Sequence, residues 1–295
     1  MSIFSIIRHI WFHPFNKNGK LNAILRFIRW QFFSRLLNYQ IIYPLTYKSS
    51  MIVNKGMTGI TGCIYNGLLE FEDMMFLLHF LRKQDTFVDV GANVGVYTIL
   101  ASSEIGSKVI SIEPIKKTFD ILSQNVLLNK AQENVLLLNI GVGEKKQKLS
   151  FSTTQDTMNH VLTDKELKSS ESEIVQIETL DDILIHNVPK IIKIDVEGFE
   201  TNVINGAHKI LSNESLKAII IELNGAGSLY GFDDDLLHSK ILSFGFKCFS
   251  YEPYQRVLKK IDKYGEYNTI YIRDFNFVKD RIMSSPQIKI LNKSI

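Results

Sequence analysis

Phe87-Val88-Asp89-Val90-Gly91-Ala92-Asn93-Val94-Gly95 reads as a short buried strand, a glycine turn and the start of a helix. Gly91 and Gly95 let the chain turn tightly and let a ligand approach the backbone closely. Amides at the start of the following helix bind an anionic or polar group. Eighteen positions after Gly95, Glu113 ends the next strand, where a carboxylate accepts two hydrogen bonds from a ribose diol. These features fit a nicotinamide dinucleotide or S-adenosylmethionine. The dinucleotide spacing G-x-G-x-x-G is not met, because Asn93 stands at its middle position and no third glycine follows Gly95 at the required spacing. Asp89 would repel a pyrophosphate, whereas it suits a cofactor carrying an ammonium and a sulfonium.

Outward from this turn, strand and helix signals alternate. Strands are predicted at 86–90, 108–112, 135–140, 190–195 and 218–223, with helices at about 95–104, 115–129 and 233–243. A further helix carries Phe199, Val203, Ile204, Ala207, Ile210 and Leu211, and Pro114 suits a first helical position. Continuous apolar strands such as Val109–Ile112 belong to a sheet covered on both faces, built from right-handed βαβ units. Strands at 247–251 and 269–273 close the series as a hairpin. The predicted fold is α/β and Rossmann-like, mostly parallel with an antiparallel C-terminal hairpin, and it resembles the seven-stranded methyltransferase sheet.

Several segments together resemble the FkbM-type methyltransferases: FVDVGANVGVYT (87–98), VISIEP (109–114), NIGVGE (139–144), IETLDD (177–182), KIIKIDVEGFE (190–200) and IIIEL (219–223). The resemblance spans roughly 71 to 273. It implies S-adenosylmethionine held by Asp89, Gly91, Asn93 and Gly95, Glu113 on the ribose, and Asn139 and Ile140 beside the adenine. It also implies glycan or polyketide hydroxyls as acceptors.

Methyl transfer is an in-line displacement at a sulfonium carbon, so alignment and water exclusion are the main tasks, and a hydroxyl acceptor must also lose a proton. Asp195 sits at the carboxyl end of a central strand, where ligands bind in open α/β sheets. It is the first candidate near the methyl group. Lys193 shares its face of the strand, and a lysine in so apolar a strand requires a carboxylate partner such as Asp195 or Glu197. The same pair serves equally as a structural ion pair. His160, in Met158-Asn159-His160, is a further candidate base. Asp195 with Glu222 and Asn224 forms an oxygen-rich set suited to Mg²⁺, in a layout that looks similar to that of catechol-type O-methyltransferases, though the residue types differ.

The 295 residues carry a formal charge of +3, with 45% apolar and 22% charged residues, as in an ordinary globular protein. Two distant cysteines, no apolar run of membrane-spanning length and no signal-peptide pattern lead to the expectation of a cytoplasmic protein. No Asp or Glu precedes Glu70, while Arg8, Lys17, Lys20, Arg26, Arg29, Arg35, Lys48 and Lys55 lie in that stretch. Residues 1–60 read as a helical basic appendage to a catalytic domain at 61–295. Leu21, Ile24, Leu25, Ile28, Phe32 and Leu36 recur at helical spacing, with Asn22, Arg26 and Arg29 on another side and Phe27, Trp30, Phe33 and Leu37 widening the apolar face. Such a helix packs on the main domain or lies on an anionic leaflet, so residues 1–48 are a candidate membrane contact, peripheral to the bilayer. No nucleic-acid motif is present, and nucleic acid is not an expected partner. The long polar segment 153–173 has the length of a lid or binding loop.

Together these readings predict an S-adenosylmethionine-dependent O-methyltransferase acting on a hydroxyl of a glycan or secondary metabolite. A non-catalytic module that keeps the cofactor fold and is tethered to a membrane by its basic helix is the alternative.

Overall fold

The computed structural model describes residues 2–36, 39–153, 159–163, 165–168 and 171–295. The chain opens with helices α1 (Ile3–Phe12) and α2 (Lys20–Leu36), a hairpin of β1 (Ile41–Pro44) and β2 (Ser50–Val53), and helices α3 (Thr58–Asn66) and α4 (Phe71–Phe80). Then come β3 (Thr86–Val90), α5 (Val96–Ile99) running on as a π-helical turn Leu100–Ile105, β4 (Lys108–Ile112), α6 (Lys116–Leu128) and β5 (Val135–Leu138). A small sheet follows, formed by β6 (Gly141–Val142), β7 (Gln147–Ser152) and β8 (Ser172–Glu178). The remainder comprises α7 (Leu180–Ile183), β9 (Ile191–Ile194), α8 (Glu200–Asn205), α9 (His208–Ser212), β10 (Ala218–Glu222), α10 (Asp234–Ser243), β11 (Lys247–Glu252), β12 (Val257–Lys260), β13 (Asn268–Ile272) and α11 (Phe275–Met283), with β14 (Lys289–Ile290) pairing β15 (Lys293–Ser294).

The main sheet has the order β12-β11-β13-β10-β9-β3-β4-β5. β5, β4, β3, β9 and β10 are parallel, and β13 enters antiparallel to β10. This is the Rossmann-like methyltransferase arrangement, with one strand more than expected. β12 turns back on β11 as an edge hairpin, and the two strands read as a terminal hairpin, β11 and β13, are neighbours that enclose it in sequence. Residues 257–260, VLKK, are short and polar enough to read as loop, which suits an exposed edge. Pro114 precedes α6 rather than opening it, because Ile115 is the residue that flanks the helix with extended backbone.

Each central strand is apolar on both faces. Phe87, Ile191 and Ile220 point to one core, shared with α4, α6 and α11, while Val88, Ile192, Ile219 and Ile221 point to the other, shared with α7 to α10. The first core has a polar interruption. Ser111, Asp89 and Lys193 lie side by side in register on β4, β3 and β9, all buried. A polar row inside a sheet survives only if its members satisfy one another, so it marks the carboxyl end of these strands as a built site.

The first sixty residues are not purely helical, since the β1–β2 hairpin lies within them, with its Ser50 and Ile52 amides donating to Asn129 and Asn125 of the α6 end. They share the first core: Ile10, Phe15, Ala23, Phe27 and Trp30 are buried with Phe71 and Met75. Burying Phe27 and Trp30 contributes about 1.5–3 kcal/mol each. Arg26, on a different side of the helix from the apolar stripe, turns inward and donates to the Ile64 and Tyr65 carbonyls at the end of α3. Leu37 lies outside the described residues. No helix among the described residues is long and apolar enough to cross a membrane.

Candidate functional site

The carboxyl ends of the parallel strands open into a cleft of about 940 Å³. Across the sheet its floor runs from Ile140 after β5, through Glu113 after β4 and the glycine turn after β3, to Lys193 and Asp195 at β9 and Glu222 at β10. The opposite wall comes from α1, α2 and α3, including Ile10, Trp30, Gln31, Arg35 and Tyr65.

The glycine turn is held from two sides, by the turn after β9 and by Glu113. Gly91 has φ +77°, and a Cβ there would lie 1.8 Å from the Asp195 carbonyl oxygen, so the β3 and β9 turns touch backbone to backbone. Asn93 adopts φ +52°, a left-handed conformation uncommon for a non-glycine residue and here imposed at the site itself. Glu113 accepts from the Asn93 amide at 2.9 Å and from the Ile115 amide at 3.0 Å, one bond to each carboxylate oxygen. An ionised carboxylate has about four acceptor positions, which leaves one on each oxygen of a residue that lines the cleft. Burial pushes the Glu113 carboxyl up to about 7, against the pull of those two amides.

Asp89 is fully buried. Its Oδ2 accepts from Thr98 Oγ1 at 2.7 Å, and its Oδ1 has no hydrogen-bond partner among the described residues. Burial raises it to about 6, with Lys193 opposing. An orphaned carboxylate oxygen beside a left-handed turn, with free acceptor positions on Glu113, fits a cofactor that brings a cation and a diol. Gly95 stands behind the turn rather than on the cleft surface, packed against Leu122.

At β9, Lys193 Nζ donates to Asp195 Oδ2 at 2.8 Å, and the Tyr97 ring lies 4.8 Å from the ammonium. Burial works against its charge, yet Asp195, Glu70 and Asp89 hold it protonated, above the ordinary lysine range. It is therefore a fixed cation rather than a free base. Tyr97 donates in turn to Glu70. Asp73, on the same side of the sheet, is raised to about 8 by burial, with Glu70 and Glu72 adding to it.

Glu197 adopts φ +52° in the turn after β9. Burial raises it to about 7, with Asp195 adding to the effect. Glu222 is raised to about 8 by burial, with Asp195, Glu197 and Glu200 surrounding it. Glu200 is spent on the turn, accepting from the Val196 and Gly198 amides. Asp195, Glu197 and Glu222 thus form an acidic corner of the cleft beside a buried lysine, two of them poised near neutral pH.

Besides Gly95, three sequence candidates sit apart from the cleft surface. Asn139 is exposed and latches onto the Glu113 and Pro114 carbonyls, so Ile140 alone of that pair lines the cleft. Asn224 is exposed and accepts from the Ala226 amide, closing its own turn. His160 pairs with Glu166 at 3.2 Å, while its neighbour Asn159 faces the cleft. Met158, and residues 154–158, 164 and 169–170 of the polar segment, lie outside the described residues. Of the three Mg²⁺ candidates, Asp195 and Glu222 line the cleft, while the Asn224 oxygen is turned to the Ala226 amide. Among the described residues no three His, Cys, Asp or Glu side chains are grouped to hold a metal ion, and Asp195 is already neutralised by Lys193. Sequence reasoning missed Tyr97, Glu70 and the α1–α3 wall. Glu70 had one signal, as the residue that ends the acid-free stretch, and the wall had another in the widened apolar face of α2; Tyr97 had none.

The family described as "Methyltransferase FkbM domain" matches residues 89–248, more than half of the chain. The chain is 29% identical over 160 residues to the hexuronic acid methyltransferase AglP of Haloferax volcanii, a match covering 52% of this chain and 62% of that protein. It is 24% identical over 170 residues to the methyltransferase sdnD of Sordaria araneosa, covering 46% of this chain and 65% of that one. In both cases the chain spans less than two thirds of the relative's length. Among solved structures, an FkbM methyltransferase from Methylobacillus flagellatus KT overlays with a TM-score of 0.45 at 18% identity, covering 72% of this chain and 52% of that one.

Proposed function

The chain belongs to the FkbM methyltransferase family, and from that membership we propose that it is an S-adenosylmethionine-dependent O-methyltransferase whose acceptor is a hydroxyl of a glycan. The observation that carries the reading is the division of one cleft into two chemistries. Around β3 and β4 lie the glycine turn, the unpartnered Asp89 Oδ1 and the half-used Glu113 carboxylate; around β9 and β10 lie Asp195, Glu197 and Glu222.

In this reading Glu113 holds the ribose diol, Asp89 faces the cationic end of the cofactor, and Ile140 packs beside the adenine. When bound, S-adenosylmethionine supplies an electrophilic methyl carbon. Asp195, fixed by Lys193, orients the acceptor hydroxyl. Glu197 or Glu222 takes its proton, since a carboxyl group raised toward 7 or 8 matches general-base work near neutral pH better than an ordinary one. The α1–α3 wall excludes water from the cleft. Residues 1–60 therefore complete the site of the 61–295 unit. The sugar acceptor is supported by the likeness to a hexuronic acid methyltransferase.

We place the protein in the cytoplasm with residues 1–48 against an anionic membrane surface. The test of acceptor class is methyl transfer from labelled S-adenosylmethionine to a panel of uronic-acid and neutral glycans, with the product linkage read by NMR. A methyl ether on a sugar supports the proposal. Cofactor binding without transfer to any sugar hydroxyl contradicts the acceptor assignment.

A further inference from the structure

Helix α2 is apolar on two opposite sides. Ala23, Phe27, Trp30 and Ser34 are buried against the domain, whereas Leu21, Leu25, Ile28, Phe32 and Leu36 face outward and are between 48% and 72% exposed. At 100° per residue these five fall within an arc of roughly 80°. The stripe that sequence periodicity marks is thus the outer one except for Ile24, which is half-buried and packs against the core. On α1, Ile3, Phe4, Trp11 and Phe12 are exposed too, and Lys20 Nζ lies 5.0 Å from the Trp11 ring and 5.6 Å from the Phe12 ring, tying the two helices together. So large an apolar surface on a folded domain marks an interaction site.

We propose that this α1–α2 face docks on an anionic lipid bilayer and that docking sets the mouth of the methyl-transfer cleft against the membrane surface. Charge decides the occupant. Arg8, Lys17, Lys20, Arg29 and Arg35 accompany the stripe, and no carboxylate occurs before Glu70. Exposed aromatic rings beside arginine and lysine stems suit the headgroup boundary of an anionic leaflet. The orientation follows from α2 itself. Gln31 and Arg35 line the cleft, and on the helix they border the outer stripe beside Ile28. An acceptor entering past them approaches from the bilayer side. The orientation rests on the methyltransferase reading only for what the cleft does; the docking itself stands on the stripe and its charges.

The two tryptophans, Trp11 on the docking face and Trp30 on the cleft wall, give a built-in probe. Full-length protein is mixed with vesicles of phosphatidylcholine alone or with phosphatidylglycerol at roughly 3:1, at low salt and at about 0.5 M salt. The expected result is co-sedimentation with the anionic vesicles, weakened by salt, and, in a Trp30→Phe variant, quenching of Trp11 by brominated lipid. Ile28→Ser with Phe32→Ser, both exposed positions, should weaken vesicle binding at least about tenfold while leaving S-adenosylmethionine binding by calorimetry unchanged. No binding to anionic vesicles, or equal binding by the double variant, overturns the proposal. So does light scattering that shows a dimer converted to monomer by the double variant, since a second copy would then cover the stripe. Vesicle binding without S-adenosylmethionine binding overturns the methyltransferase reading instead.

Discussion

Lys193 Nζ donates to Asp195 Oδ2 at 2.8 Å while Lys193 itself stands in register beside Asp89 on the neighbouring strand. One buried ammonium thus stands between the Asp89 and Asp195 carboxylates, which the proposed function assigns to the cofactor and acceptor sides of the cleft. Replacing it with methionine leaves Asp89 and Asp195 facing each other without a counter-charge. Lys193→Met should lose about 3–5 kcal/mol of stability, the usual result of removing one partner from a buried pair. Urea denaturation checks this; a variant as stable as the parent would show that the lysine does not hold the site together.

Gly91→Ala should be more damaging than its size suggests. The added methyl meets the Asp195 carbonyl at 1.8 Å, and the backbone at φ +77° disfavours any side chain. The β3 and β9 turns would have to separate. The expected outcome is loss of measurable S-adenosylmethionine binding in protein whose far-ultraviolet circular dichroism is retained. Binding equal to the parent would show that the two turns need not touch.

Stability should fall as pH rises from about 6.5 to 8.5. Glu113, Glu197 and Glu200 at about 7, and Asp73 and Glu222 at about 8, all lie above their unfolded value. In that window the folded state binds more protons than the unfolded one, so stability declines with pH. Below 6.5 the buried His13 and His79, depressed to about 4 by burial, work the other way, because the unfolded chain then gains protons that the folded chain refuses. A drop of about 2–6 °C in thermal midpoint between pH 6.5 and 8.5 is expected. A midpoint that rises over that window would contradict the assignment.

Glu222→Gln and Glu197→Gln separate the two acids of the corner. The one that takes the proton should lose about 10²–10⁴-fold in kcat with S-adenosylmethionine affinity retained, and the parent's rise in kcat with pH should disappear with it. The other should change mainly KM for the acceptor. If both keep full kcat, neither acid is the base.

The parallel strands were legible because each is a near-continuous apolar run, and the β3 turn because Gly91, Asn93 and Gly95 stand between a strand and a helix. Asp89, Glu113 and Lys193–Asp195 were legible because a polar residue ending a buried strand has few reasons to be there. The α1–α3 wall was not. Apolar periodicity on α2 gives one stripe to solvent and another to the core, and nothing local says which. Asn139, which braces the chain after β4, and Asn224, which closes its own turn, show that an asparagine bonded to backbone has the same sequence signature as one that meets a ligand. The β12 edge strand was hidden by its polarity.

The most direct test is calorimetric titration of S-adenosylmethionine into the full-length protein and a Glu113→Ala variant, with NAD⁺ as control. The account predicts saturable binding of S-adenosylmethionine alone, weakened about 10–100-fold in the variant, which loses two charge-assisted hydrogen bonds to the diol. Folded protein that binds no S-adenosylmethionine, or a variant that binds it as tightly as the parent, would contradict the assignment of this cleft.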